Sequence, residues 1–438
     1  MKFLFPAIAI ALFSIGVSSA DPSNWSHWRG PLGTGESPDA TPPIEWSEDK
    51  NVHWRTQLPG LGHSSPVVWE NTIFLTASLP VGEPFEPKPD LALGAHNNNL
   101  VSSKWRFVVM AVDRANGKVL WEKTVRERIP NEGGHETGTL ASASPITDGE
   151  RVYAFFGSHG LYCLEAKSGE VLWNVDFGDM QTKHGHGEGS SPVLSGDGVY
   201  VVWDHEGLSF LAALDKRTGK KLWRQPRNER TSWSSPISID VNGSEQIVVA
   251  ATERIRAYRP TDGEVIWECG GLSDNVVATP VYSAEDNILL ATSSYNFQSM
   301  LALNLAGASG DLSGSDRILW TQKKRTPYIP SPLFYQGHVY FLGHYQGVLS
   351  RVDITNGKAP SGPFRIDGIY EIYASPVAAN KHIYIVDRSG ITVVLSEGGI
   401  PEPVGVNQLD DRFSATPALV GKDLILRGEK YLYCIREK

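Results

Sequence analysis

The segment His184-Gly185-His186-Gly187-Glu188 sets two imidazoles at alternate positions with a carboxylate close behind. An extended chain turns alternate side chains to one side, so the pair is a candidate for cation or anion chemistry. Neutral imidazoles beside carboxylates are what a transition metal requires, and protonated ones suit an acidic ligand. His135-Glu136 is the most economical source of a third ligand, which makes His135, His184 and His186 the candidate metal set. His63, Glu136, His159, Glu188, His205 and His344 complete the residues expected to meet a ligand or partner. No catalytic residue is assigned, because the chain has no Gly-x-Ser-x-Gly elbow, phosphate loop, His-Glu-x-x-His helix or zinc-type cysteine pair.

These residues must be carried by a repeating framework. Eight Ser/Thr-Pro pairs run through the chain, with prolines at 66, 145, 192, 236, 280, 332, 376 and 417. Their spacings of 79, 47, 44, 44, 52, 44 and 41 residues match one four-stranded propeller blade, with two units carrying insertions. After each pair come a short apolar run, a turn, a β-branched and aromatic run, and a third run leading to a Gly turn. A Trp follows four residues later, as in Gly117 to Trp121, Gly169 to Trp173, Gly219 to Trp223 and Gly263 to Trp267. Proline suits the innermost strand because that strand is a sheet edge, where a missing N–H costs the ladder nothing. The expected fold is therefore all-β, an eight-bladed propeller of four-stranded antiparallel blades with strands A to D from axis to rim.

The termini indicate how the ring closes. The last unit stops after its third strand, while residues 51–57, with Trp54, form an orphan strand ahead of the first Ser-Pro pair. That strand is expected to complete blade 8, which covers two open edges. Blade 6 has Phe364 in the Trp slot, and blade 7 has Pro401-Glu402-Pro403 there, so blade 7 is expected to have a poor outer strand.

In such a blade the B–C turn and the D-to-A connection lie on the same face. His159, His205 and His344 fall in B–C turns, and His63, His135, His184 and His186 in D-to-A connections. His96 falls in a long B–C insertion of blade 1, residues 79–104, expected to overhang that face as a lid or partner contact. Eight of the twelve histidines thus share one face. A second insertion, residues 306–316, reads as a solvated loop on the opposite face, without the carboxylate density of a calcium loop.

Residues 1–20, with one Lys, an apolar run and Ser18-Ser19-Ala20, read as a cleaved signal peptide. No lipid-anchor Cys follows, so a soluble periplasmic or secreted chain is expected, with no transmembrane segment. Residues 21–50 read as an extended arm lying on the propeller of residues 51–438. Cys163, Cys269 and Cys434 read as small buried residues that let sheets approach. The net charge of −9 argues against nucleic acid, which requires a clustered positive surface.

The repeat Ala213-Leu214-Asp215, Gly219-Lys220 and Trp223 closely resembles the PQQ-like propeller repeat, and the resemblance spans residues 51–438. The arm motif Trp28-Arg29-Gly30-Pro31, with Gly33 and Gly35, resembles the opening of a group of exported PQQ-like proteins. The family includes quinoprotein alcohol dehydrogenases and the β-barrel assembly lipoprotein BamB. In its catalytic members, the resemblance implies, the quinone lies between a Trp and a disulfide of adjacent cysteines, beside a bound calcium or lanthanide and a catalytic Asp. This chain has no adjacent cysteine pair, so PQQ is not expected, and a transition metal is the one cofactor the histidines suggest. The resulting reading is a binding or interaction scaffold whose partner is an envelope protein or component. The alternative is a quinoprotein-type oxidoreductase or metal-dependent enzyme working from the histidine-rich funnel face.

Overall fold

The computed structural model describes residues 24–437, and the expected signal peptide lies outside them. Among these residues eight sheets, each built on four antiparallel strands, form the ring. Blade 1 consists of Val67–Trp69, Thr72–Val81, Lys104–Asp113 and Val119–Arg128. Blade 8 takes Ala418–Val420, Asp423–Arg427 and Tyr431–Ile435 from the C-terminal end and Val52–Gln57 from the N-terminal end. The last strand pairs antiparallel with Tyr431–Ile435, Arg55 opposite Tyr433 and Thr56 opposite Leu432, as the missing strand required.

A small residue in strand C stands opposite the Trp of strand D in six blades. Ala111 faces Trp121, Cys163 faces Trp173, Ala213 faces Trp223, Ala257 faces Trp267, Ala302 faces Trp320, and Cys434 faces Trp54. The three cysteines are unbonded and buried; in blades 2 and 8 a thiol occupies the place that Ala takes elsewhere. Five of these indoles reach on to the Gly turn of the next blade, whereas Trp267 donates within its own blade to Gln246 Oε1 at 2.8 Å. A Cβ on Gly169 would lie 2.6 Å from Trp121, and one on Gly219 2.7 Å from Trp173. The indole N–H groups donate into the same turns, from Trp121 to the Ala166 carbonyl at 3.0 Å and from Trp173 to that of Lys216 at 3.2 Å. The Gly of the turn is therefore needed twice, for its positive φ and for the ring lying over it.

The serines and threonines of the eight pairs form a closed circuit. The Ser65 amide donates to the Ser144 hydroxyl, Ser144 to Ser191, Ser191 to Ser235 and Ser235 to Thr279. Thr279 then donates to Ser331, Ser331 to Ser375, Ser375 to Thr416, and Thr416 back to Ser65. All eight bonds are 2.8–3.1 Å. An amide that would be an orphan at the start of an inner strand is thereby satisfied by the neighbouring blade.

Three expectations need correction. The poor outer strand belongs to blade 6, whose strand D is only Phe364–Arg365, whereas blade 7 has the six-residue Pro403–Gln408. Pro403 sits at the start of its strand, where its missing N–H is harmless, and the arm supports that strand: Trp46 N–H donates to Asn407 Oδ1 at 2.6 Å. Segment 306–316 is more than a solvated loop, because Gly310–Asp311 runs parallel to Trp267 and Glu268 as a fifth strand of blade 4. Finally, the arm does more than lie on the surface. It bonds inner strands of blades 1, 2, 6 and 7 in turn, through Trp25–Val68, Ser26–Thr147, Thr34–Phe334 and Gly35–Ala378. Trp25 and Arg29 are fully buried. The Arg29 guanidinium donates to the carbonyls of Thr34, Pro332 and Pro376 at 2.6–3.1 Å, which closes the axial channel at that end.

Candidate functional site

The closed channel leaves a blind chamber of about 420 Å³ opening on the face that bears the B–C turns. The eight hydroxyls of the circuit line its wall, and Trp28 of the arm contributes to the lining. Around the mouth stand His63, His135, His186, Trp233, Tyr328, Tyr345 and Tyr373. Trp233 is fixed by its indole N–H donating to the Gly187 carbonyl at 2.7 Å. The Tyr373 hydroxyl reaches across the mouth to Thr137 Oγ1 at 3.3 Å. An aromatic run approaches from blades 5 and 6: Tyr295 stacks on Tyr328, Tyr328 on His344 at 5.0 Å, and Tyr345 meets Tyr373 edge to face.

Beside the mouth four imidazoles pack together. Ring centroids are 4.9 Å apart for His96–His184, 4.8 Å for His96–His186, 4.8 Å for His135–His186 and 5.3 Å for His184–His186. Three loops meet here, because the blade 1 insertion docks on both neighbouring connections. Asn99 N–H donates to Gly134 O and Glu136 N–H to Asn97 O, and Asn98 Nδ2 donates to His184 O at 2.6 Å. The Asn97-Asn98-Asn99 run is the docking strip of this lid. The Nδ1 atoms of His96 and His184 sit on the carbonyls of Gly94 and Leu93, at 2.8 and 3.2 Å. The Nε2 atoms of His184 and His186 and the Oδ1 of Asn98 are buried without a partner. The rings meet edge to face or tilted, and among the described residues no group of three or more His, Cys, Asp or Glu is arranged to hold a metal ion as it stands.

The other expected residues part company. His63 faces the chamber, and burial, aided by the charges of Arg427, Arg388 and Arg412, lowers its pKa to about 3. His159 is buried in the blade 1–2 interface, its ring 4.1 Å from that of Phe107, and burial takes it to about 3. His205 accepts the Gln181 amide at 3.1 Å, and His344 belongs to the aromatic run; burial lowers both. Glu136 is exposed. Glu188 is turned away from any ligand role by Ser158, which donates its N–H and Oγ–H to the carboxylate, and burial raises this acid to about 7. Burial also lowers His186 to about 4, helped by His135 and His96, and His135 is likewise lowered. His135 and His186 are therefore neutral at neutral pH.

The quinone and metal of the catalytic relatives do not fit this chamber. Its lining contains no Cys and a single carboxylate, Glu188, both of whose oxygens are held by Ser158. A hard cation demands several free oxygen ligands, so no step through a quinone–metal pair is derived. The chamber's aromatic and hydroxyl lining escaped the sequence reading. Its signal was present in the Ser/Thr of every repeat, but its role needs the neighbouring blade to be visible.

The family described as outer membrane protein assembly factor BamB matches residues 106–331. BamB of Shewanella oneidensis is 23% identical over 327 residues, covering 65% of this chain and 79% of that protein. Among solved structures, BamB from Moraxella catarrhalis aligns with a TM-score of 0.54 and 14% identity over 88% of this chain and 98% of that one. A europium-containing methanol dehydrogenase aligns with 0.63 and 11% over 94% and 91%. At these identities the structural matches speak for the fold alone.

Proposed function

This chain belongs to the BamB family of outer membrane protein assembly factors, and from that premise we propose that it is a periplasmic or secreted interaction scaffold of the cell envelope, docking a partner protein on its funnel face. One observation carries the proposal. Large apolar side chains stand exposed on the loops of that face: Leu91 (89%) and Leu93 (95%) on the lid, Leu208 (86%) in a B–C turn and Tyr370 (75%) in a D-to-A connection. Exposed apolar residues gathered on one face mark a contact surface. No helix among the described residues is long and apolar enough to cross a membrane. A photo-crosslinking amino acid at position 93, 208 or 370, compared with position 222 on an outer strand, tests the reading in cells. Crosslinks to the same envelope protein from the three face positions and none from 222 are expected; equal crosslinking from all four overturns it.

A second reading rests on the orphaned acceptors beside the mouth. Because Nδ1 of His96 and of His184 donates to a carbonyl, each Nε2 carries a lone pair, the state in which imidazole binds a metal. His96, His184 and His186 would hold a transition metal once their rings turn to converge. His135, which accepts the Thr137 amide on Nδ1, carries its proton on Nε2 and stands beside the set. Zinc titration of the wild type and of a His184→Ala, His186→Ala double variant at pH 7.5 and 5.5 tests this. Stoichiometric binding by the wild type only, weaker at the lower pH, is expected; equal, negligible binding by both removes the metal.

A further inference from the structure

We propose that the blind chamber is a binding site for an uncharged saccharide. The inference is independent of partner docking on the outer face. It starts from the eight hydroxyls of the circuit. Each accepts one backbone N–H from the preceding blade, and among the described residues none donates to a protein atom. A hydroxyl has one proton to give and two lone pairs, so eight O–H donors remain around the wall of a closed-ended cavity. Trp28 adds an indole N–H that is buried without a partner.

The ligand must therefore be rich in acceptor oxygens, and charge decides which kind. No Lys, Arg or Asp lines the chamber. Its one carboxylate, Glu188, is bound to Ser158 and has its pKa raised to about 7, and the three histidines at the mouth are neutral at neutral pH. An inorganic phosphate or a polycarboxylate would lose its hydration with no cation in the lining to meet it directly, a cost the hydroxyls alone do not offset. A neutral ligand bearing many hydroxyls meets no such cost. It also finds acceptors in return, since neutral imidazole offers one nitrogen lone pair.

The aromatic rings complete the match. Trp28, Trp233, Tyr328, Tyr345 and Tyr373 present apolar faces beside the polar wall. A pyranose ring is amphiphilic in the same sense, with C–H groups on its faces and hydroxyls around its edge. A cavity of about 420 Å³ lies in the usual range for small-ligand sites, about 300–1,000 Å³. The Tyr373–Thr137 bond across the mouth narrows entry, so the chamber takes a short saccharide or the end of a longer one.

Isothermal titration with maltose, trehalose and N,N′-diacetylchitobiose, and with inorganic phosphate as the charged control, tests the proposal. Indole fluorescence serves as a second readout, because Trp28 and Trp233 line the chamber. At least one saccharide is expected to bind saturably and to change the fluorescence, while phosphate does neither. Tyr345→Ala is expected to weaken binding about tenfold, the scale of one aromatic contact, and Tyr345→Phe, which keeps the ring, to remain within about threefold of the wild type. Absence of saturable binding by all three saccharides, equal binding of phosphate, or unchanged affinity in a folded Tyr345→Ala variant would each overturn it.

Discussion

The amide of Thr416 donates to the hydroxyl of Ser65 at 3.0 Å across 351 residues of chain, and this single bond joins the last blade to the first in the axial circuit. Replacing Ser65 by Ala leaves a buried N–H without a partner, a loss of about 1–3 kcal/mol. Urea unfolding should show Ser65→Ala destabilised by that amount and Ser65→Thr close to wild type, because Thr already serves at positions 279 and 416. Wild-type stability in Ser65→Ala would mean that the circuit is incidental.

The arm is a structural element in its own right. Trp25 is fully buried in a core cluster it shares with residues of blades 1, 7 and 8, so Trp25→Ala is expected to lower stability by about 3–5 kcal/mol. Removal of residues 24–43 should be costly even though the closing strand 52–57 is kept. A melting temperature unchanged by that deletion would refute the plug.

The pairing of turn glycine with indole makes a non-additive prediction. Gly169→Ala meets both a positive φ of 71° and the Trp121 ring, whereas Gly243→Ala meets only a positive φ of 85° with open space. Gly169→Ala should therefore be the more destabilising by over about 1 kcal/mol. The excess should disappear when both are measured in a Trp121→Ala background, a coupling that a double-mutant cycle reads directly. Equal costs in the wild-type background would count against stacking as the constraint.

Acid and base act on different groups. His27, His63 and His159 are held down to about 3 and His186 to about 4, mainly by burial. Against an unfolded value of about 6.5, the unfolded chain binds more protons in between, so stability falls as pH drops from 6.5 towards 4. Glu188, raised to about 7, works in the opposite sense: its contribution is full below the unfolded value near 4.5 and is lost as pH rises through 7. Glu188→Gln keeps an acceptor for the Ser158 amide and should be more stable than wild type at pH 8 but not at pH 4. Denaturation midpoints at the two pH values check this, and a variant less stable at both would contradict it.

Much of the ring was readable because each repeat carries its own evidence. The orphan strand around Trp54 and the missing strand after Tyr431–Ile435 could be matched by counting alone. Topology also brought His135, His184 and His186 to one face, where they do meet. It did not single out His96, which reaches them only because Asn98 and Asn99 anchor the lid. Tyr328, Tyr345 and Tyr373 went unnoticed, since an aromatic at a chamber mouth has the same sequence signature as one in a core. Blade 7 was misjudged because its prolines were weighed without the arm, whose Trp46–Asn407 bond lies 361 residues away in sequence.

The strand that closes blade 8 is synthesised before any blade and finds its partner only when the rest of blade 8 has been made. Val52–Gln57 must wait, unpaired, until Tyr431–Ile435 exists, so seven blades can stack while both ends of the array remain open. Completion is thus a late, long-range event of high contact order, of the kind that slows folding. Until then two naked β edges are available to other chains, and the half-made ring is where this protein is most exposed to misassembly.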